Sequence, residues 1–292
     1  MDLVSVDGSS ASDSITTETS RSLSGGIGRS RIAFDLAVLL VAPAVLVAVW
    51  IVPETVRRAW VFSYSDPTLL TAFTAHYVHL TASHLFANLL GFLLLGSVAY
   101  GLSVVAGQRR LFAMAAVTFL VAFPFVLSAL NLAVPRNAIG YGFSGVNMAF
   151  FGYIVVILPD VLDGLTDTNV HRYTPALFLL SVGYIALIAL PISTVSLLLA
   201  VTAATAALPY CRTTRGTTAQ GLLDATWHLL KRPGVGELLA VAVVVLVAYP
   251  FVGFPSQSPT GVAINLYVHF LGYALAFLVV HVSLLLDATG IE

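Results

Sequence analysis

The chain has 292 residues, of which 58% are hydrophobic and only 9% are charged, and its mean hydropathy is +0.95. Because a soluble domain carries about 25% charged residues, this composition predicts an integral membrane protein in contact with the lipid bilayer and excludes a single anchor on a soluble domain. The 13 basic residues nearly balance the 14 acidic residues, which gives no argument for nucleic acid binding, and the single cysteine excludes internal disulfides and thiolate metal clusters.

The pattern of apolar residues predicts a tail followed by a membrane domain. Residues 1–31 are rich in Ser, Thr, Gly and Asp, which predicts a disordered cytoplasmic tail. Residues 32–287 form the predicted membrane domain, and 288–292 form a short C-terminal tail. Apolar segments of about spanning length lie at 32–53, 84–105, 110–134, 141–158, 174–190, 194–210, 236–253 and 263–286. This pattern predicts an all-α polytopic membrane protein with about eight spans.

The distribution of basic residues predicts the orientation of the chain. With eight spans, ten basic residues fall on one side of the membrane and three on the other. The ten are Arg21, Arg29, Arg31, Arg109, Arg110, Arg172, Arg212, Arg215, Lys231 and Arg232, and the three are Arg57, Arg58 and Arg136. Since basic loops stay in the cytoplasm, we expect cytoplasmic termini, a cytoplasmic loop at 211–235 and a multi-pass protein of the cell membrane. The two segments within 174–210 could form a tight hairpin or one bent element.

Four polar residues lie inside the predicted spans, where such groups are costly and therefore candidates for function. They are His84, Asn88, Ser144 and His269. His84 and Asn88 are four residues apart and share one helix face. At a rise of about 1.5 Å per residue, all four fall in the outer part of the membrane, so they could meet in one site.

Ser144 stands in the glycine-rich stretch 140–145, which opens a helix predicted to run to Leu158 and to end at Pro159. Glycines such as Gly142 and Gly145 allow a tight bend and close approach. The serine is thereby presented at a helix N-terminus, where free N–H groups favour a developing negative charge. This placement suits a nucleophile whose oxyanion is partly stabilised by the backbone.

Stripes of small residues predict that the fourth and last helices pack together. Gly145, Ala149 and Gly152 form one stripe, and Gly272 and Ala276 follow His269 at plus three and plus seven. Such stripes let helices approach closely in membranes. A hydrogen bond between Ser144 and His269 is then plausible, with the imidazole as general base and later general acid, in a dyad without a carboxylate.

Three motifs in this context resemble the rhomboid intramembrane serine proteases. They are His84-Leu-Phe-Ala-Asn88, Gly142-Phe-Ser144-Gly145, and His269-Phe-Leu-Gly272 with Ala276. The resemblance covers roughly 32–158 and 236–287, and it implies a six-helix core with about two additional helices at 174–210.

The resemblance also implies roles for these residues. Ser144 would be the nucleophile and His269 the base, and His84 and Asn88 would stabilise the oxyanion with the Ser144 N–H. Gly142, Gly145, Gly272 and Ala276 would support the site. The family uses no cofactor or metal and cuts single-pass membrane proteins near the outer end of a span. By the same analogy, the helix at 236–253 and the loop 254–263 would gate access.

The sequence departs from the family at Met148, where an aromatic residue often stacks on the catalytic histidine. Other interpretations also stay open. His76 and His79 could join His84 as metal ligands, although no carboxylate or thiolate accompanies them. Ser144 could be a small residue in a helix contact. At the level of the whole chain, the rivals to a serine endopeptidase are a polytopic transporter and a catalytically silent rhomboid-like protein that binds clients.

Overall fold

The computed structural model describes residues 29–166, 169–212, 219–255 and 265–289. The predicted tail therefore lies outside the described residues except for 29–31, which already belong to the first helix. The same holds for most of the predicted gating loop at 254–263 and for the last three residues of the C-terminal tail.

The described chain is mostly helical, as its composition predicts. The α-helices in chain order are α1 (Arg29–Ile51), α2 (Glu54–Arg58), α3 (Leu69–Thr74), α4 (Ala82–Val105), α5 (Arg109–Val121), α6 (Phe123–Asn131), α7 (Ser144–Thr166), α8 (Thr174–Ala189), α9 (Thr194–Arg212), α10 (Ala219–Leu230), α11 (Val235–Gly253) and α12 (Leu266–Thr289). Two short strands, β1 (Phe62–Ser63) and β2 (Ile139–Gly140), pair antiparallel, with Phe62 opposite Gly140. Single 3₁₀ turns occur at Ala75–Tyr77 and Val170–Tyr173.

Six described helices are long and apolar enough to cross a membrane, namely α4, α7, α8 with its preceding turn, α9, α11 and α12. The pair α5 and α6 makes a seventh if the two are counted as one span, and they meet at a bend of 47°. Pro124 at the start of α6 accounts for the bend, because a proline cannot donate to the preceding turn. The described apolar part of α1 is shorter, Leu39–Ile51. An all-α polytopic membrane protein is therefore confirmed, and the count of eight spans stays a prediction.

The end of α7 corrects the sequence prediction. The helix does not end at Pro159 but continues to Thr166. A proline removes the bond to the carbonyl four residues earlier and tends to kink a helix, but α7 is buried on both sides of Pro159 and continues past it. Asp163 accepts hydrogen bonds from the Val170 N–H and from the His171 ring, which attach the following segment to the end of α7.

Helix α7 is the centre of the bundle. Of its most apolar 18-residue window, 89% is buried inside the protein, against 50% or less for the other candidate spans. The helices α4, α5, α6, α11 and α12 surround it, and α12 lies closest along its length. A fully surrounded apolar helix of this kind holds its N-terminus in a fixed place.

The segments at 174–190 and 194–210 form a hairpin of two packed helices rather than one bent element. Gly183 of α8 faces Ala200 and Ala203 of α9 at close range. The hairpin lies on the outside of the core, where α8 contacts α7 and α11. The additional helices therefore extend the bundle without separating the helices that carry Ser144 and His269.

Candidate active site

Ser144 is the first residue of α7 and is partly exposed. The bend before it is made by Gly142, whose φ of +110° is favourable only for glycine. A Cβ on Gly142 would also lie 2.5 Å from Cε1 of His84. Glycine at this position therefore provides both the turn that exposes the serine and the space that the His84 ring occupies.

The imidazole of His269 lies between Ser144 and the end of α11. Its Nδ1 is 2.5 Å from the carbonyl oxygen of Gly253, and its Nε2 is 2.6 Å from Ser144 Oγ. A carbonyl can only accept a hydrogen bond, so Nδ1 carries the proton and Nε2 accepts from the serine hydroxyl. This is the tautomer that a general base requires. A backbone carbonyl thus takes the orienting position for which the sequence offers no carboxylate.

Two helix ends of opposite polarity meet at this pair. Ser144 lies at the N-terminus of α7, and Gly253 is the last residue of α11. The free N–H groups of a helix start favour negative charge, and the free carbonyls of a helix end favour positive charge, typically by about 0.3–1 kcal/mol each. The site can therefore stabilise an oxyanion at the serine and an imidazolium at the histidine.

Small residues make the contact between α7 and α12 close. Gly272 lies against the carbonyl oxygen of Gly145, and Gly152 lies against the carbonyl of Tyr273 and the Cβ of Ala276. In both places a Cβ on the glycine would collide with the facing backbone. The small-residue stripes thus occupy the predicted contact, and this contact brings His269 within hydrogen-bonding distance of Ser144.

His84 and Asn88 lie on α4 next to the start of α7, with the His84 ring at Gly142 and Asn88 at Asn147. The Asn88 side chain donates to the His84 carbonyl at 2.9 Å and is buried. Asn147 of α7 donates to the backbone oxygen of Asn88 at 3.0 Å and to its Oδ1 at 3.3 Å. Asn147 therefore fixes the Asn88 amide, a role that the sequence does not indicate, because nothing in it shows which way Asn147 faces.

The first loop, residues 52–81, holds the backbone that precedes the serine. The Ala75 carbonyl accepts from the Gly142 N–H at 2.9 Å, and His79 Nε2 accepts from the Phe143 N–H at 3.4 Å. His79 is in turn held by Arg57, which is buried and donates to the His79 carbonyl. The pairing of β1 with β2 adds a further link. These contacts therefore fix the first loop against the segment that leads into α7.

A second serine–histidine pair, His76 with Ser128, stabilises the fold and is not placed like the pair of Ser144 and His269. His76 Nε2 donates to Ser128 Oγ at 3.1 Å, and Ser128 donates to the Ala72 carbonyl at 2.8 Å. Both side chains are buried, and Ser128 lies within α6 rather than at a helix start. His76 and His79 are thus bonded to protein groups, and within the described residues no cluster of three potential ligands could hold a metal ion.

Burial in the first loop changes the protonation of both histidines. It lowers the pKa of His76 from 6.5 to about 4. Burial, together with the nearby charges of His84 and Arg57, lowers the pKa of His79 to about 3. Both rings are therefore neutral in the folded protein at neutral pH.

Acidification is expected to destabilise the fold from about pH 6.5 downward. Below this pH the two histidines bind protons in the unfolded chain, whereas in the folded protein they bind them only near their lowered pKa values. The stabilisation is complete above pH 6.5 and is lost as the pH falls towards 4. With two such groups, the free energy of unfolding falls by up to about 2.7 kcal/mol for each pH unit of acidification. Thermal unfolding of the protein in detergent across this range measures the slope, and His79→Gln, which keeps an acceptor, should reduce it. An equal slope in both proteins would contradict this assignment.

Met148 packs against the end of α11. A Cβ on Gly253 would lie 2.8 Å from Met148 Cε and 3.1 Å from its sulfur. The aromatic neighbour of His269 is Phe254, with ring centroids 6.1 Å apart and nearly perpendicular planes. Phe254, which directly follows Gly253, thus packs beside the imidazole of His269.

The structure brings Ser144 and His269 together, with Gly142 and Gly145 next to Ser144 and Gly272 against Gly145, whereas Ala276 packs on Gly152 two turns further along α7. The residues that sequence reasoning misses are Gly253 and Asn147. Gly253 acts through its carbonyl, which every residue has, so no side-chain pattern could identify it. Comparisons with protein-family models, curated proteins and solved structures find no match for this chain.

Proposed function

We propose that this protein is an intramembrane serine endopeptidase of the rhomboid type, which cuts peptide bonds in or near membrane-spanning segments of other proteins. The observation that carries the proposal is the hydrogen bond of 2.6 Å between Ser144 Oγ and His269 Nε2, with Nδ1 of the same ring held by the Gly253 carbonyl. The resemblance of the three motifs supports the same function.

The reaction begins with attack of Ser144 Oγ on the substrate carbonyl carbon as its proton moves to His269 Nε2. The resulting oxyanion is stabilised by the Ser144 N–H at the positive end of α7, and His84 and Asn88 are the proposed side-chain donors. The imidazolium is stabilised by the Gly253 carbonyl at the negative end of α11.

Collapse of the tetrahedral intermediate breaks the peptide C–N bond, and His269 gives its proton to the leaving amine. A water molecule then attacks the acyl-enzyme with the imidazole again as base, which releases the second product and restores the serine. Removing one oxyanion donor in other serine proteases costs about 100- to 1,000-fold in rate, so all three proposed donors would contribute measurably.

The proposed substrates are single-pass membrane proteins, and the proposed location is the cell membrane with both termini in the cytoplasm. The ten-to-three distribution of basic residues supports this orientation. In it, the serine lies towards the outer face, and a substrate helix must unwind near its outer end to present a peptide bond.

A fluorophosphonate probe tests the proposal directly, because it reacts only with an activated serine. We expect labelling of the purified protein in lipid and none of Ser144→Ala. Among the described residues, Ser128 is the second serine that bonds to a histidine, and Ser128→Ala should label like the wild type. A folded wild-type protein that does not label would favour a silent client-binding protein or a transporter.

A further inference from the structure

The hairpin of α8 and α9 contacts α11 where that helix is weakened by a proline. The Tyr184 hydroxyl of α8 donates to the Val247 carbonyl of α11 at 2.8 Å. Pro250 follows three residues later and has no N–H, so it cannot bond to the Leu246 carbonyl in the same turn. Such a turn opens readily and bends unless neighbouring groups support it. The Tyr184 hydroxyl attaches this turn to α8 from outside the helix, at Val247, the residue after Leu246.

The supported turn leads directly to the partner of the proposed base. Val247 and Gly253 are six residues apart, or about 9 Å along the helix. At the end of the helix, the Phe254 N–H donates to the Pro250 carbonyl at 2.8 Å, which keeps the last turn closed. The position of this end of α11 therefore determines where the Gly253 carbonyl meets His269.

The same face of α8 is attached to α12, the helix that carries His269. The Phe178 ring stacks on Phe277 with centroids 4.0 Å apart, and Ser181 hydrogen-bonds to the Tyr273 hydroxyl. The helix α8 therefore bonds to both α11 and α12. The small-residue contact with α7 already holds α12 in place, so the α8 contact that bears on the His269–Gly253 hydrogen bond is the one to α11.

We propose that Tyr184 is a positioning residue, which keeps the end of α11 in place so that the Gly253 carbonyl orients His269. This inference rests on the proposed protease function. It assigns a role to the additional hairpin, which sets the geometry of the catalytic base from outside the six-helix core.

The test compares Tyr184→Phe with Ser181→Ala. Tyr184→Phe loses the hydroxyl but keeps the ring beside Phe251, which lies 6.1 Å away between centroids. Ser181→Ala removes a hydrogen bond from the same helix to α12 instead of α11. We expect Tyr184→Phe to lower kcat by about three- to fivefold, the effect of losing one hydrogen bond, with KM unchanged, and Ser181→Ala to leave kcat unchanged.

A second measurement does not depend on catalysis. Spin labels at Val252 of α11 and Leu278 of α12, both exposed, report the separation of the two helices in a Cys211→Ser background. We expect Tyr184→Phe to broaden this distance distribution and Ser181→Ala to leave it unchanged.

The two measurements separate the possible failures. Wild-type kcat and an unchanged distance distribution in Tyr184→Phe would overturn the positioning role and leave the proposed protease intact. An inactive wild-type protein would overturn the protease function and with it the role of Tyr184 in catalysis. A lower kcat with an unchanged distance would also overturn the inference, since the effect would not act through α11.

Discussion

Ser144→Ala is expected to lower the rate of peptide-bond hydrolysis by at least about 1,000-fold, because it removes the atom that forms the acyl-enzyme. His269→Ala should cause a similar loss, since no other described side chain hydrogen-bonds to Ser144 Oγ. The double variant should be no worse than either single variant, because the two residues act as one unit. Purified protein in liposomes with a single-span reporter, followed by mass spectrometry of the products, measures all three rates.

His281→Phe is the matched control for the loss of a histidine. His281 lies on the same helix and stacks on Phe277 with centroids 5.3 Å apart, so phenylalanine preserves the contact. Its rate should stay within about twofold of the wild type. Cleavage that persists in Ser144→Ala would show that another nucleophile acts and would overturn the proposed mechanism.

Gly272→Ala is expected to reduce both stability and activity, although it adds a single methyl group. The new Cβ would collide with the Gly145 carbonyl, a backbone atom that cannot rotate away. Forcing atoms into a packed contact costs about 1–3 kcal/mol of unfolding free energy. Displacing α12 also moves His269 away from Ser144, and a shift of about 1 Å can cost about 100-fold in rate.

Gly164→Ala provides the comparison, because it makes the same substitution in α7 where no atom lies within 4 Å of the added Cβ. There the alanine should be neutral or stabilise the helix by about 0.5–1 kcal/mol. Thermal unfolding and the cleavage rate of the two variants measure the difference. If Gly272→Ala matched Gly164→Ala in both, the close contact between α7 and α12 would not control the site.

The lengths of the apolar segments predicted the helices well, because a backbone in lipid must satisfy its hydrogen bonds within the segment. Each of the eight predicted segments contains a helix. The ends were less well predicted. Proline suggested that α7 ends at Pro159, yet the helix continues, while Pro124 divides a predicted span into α5 and α6. The sequence does not distinguish these outcomes, since tertiary contacts decide whether a helix resumes after a proline.

The residues of the candidate dyad could be found from the sequence for a similar reason. Polar side chains are expensive inside a membrane, so Ser144 and His269 stand out against their apolar surroundings. Asn147 stands among them too, but its role depends on facing Asn88 across two helices. The position of Asn147 along the chain does not indicate that it contacts Asn88.

The membrane class, the helical segments and the choice of the polar candidates follow from the sequence alone, because each reflects the cost of placing polar groups in lipid. Which groups orient these polar side chains follows from how the helices pack against one another. The Gly253 carbonyl beside His269, the Ala75 carbonyl beside Gly142 and the Tyr184 hydroxyl on α11 are contacts between distant segments. In all three the acceptor is a backbone carbonyl, a group that is the same in every residue and becomes specific only when the helices pack.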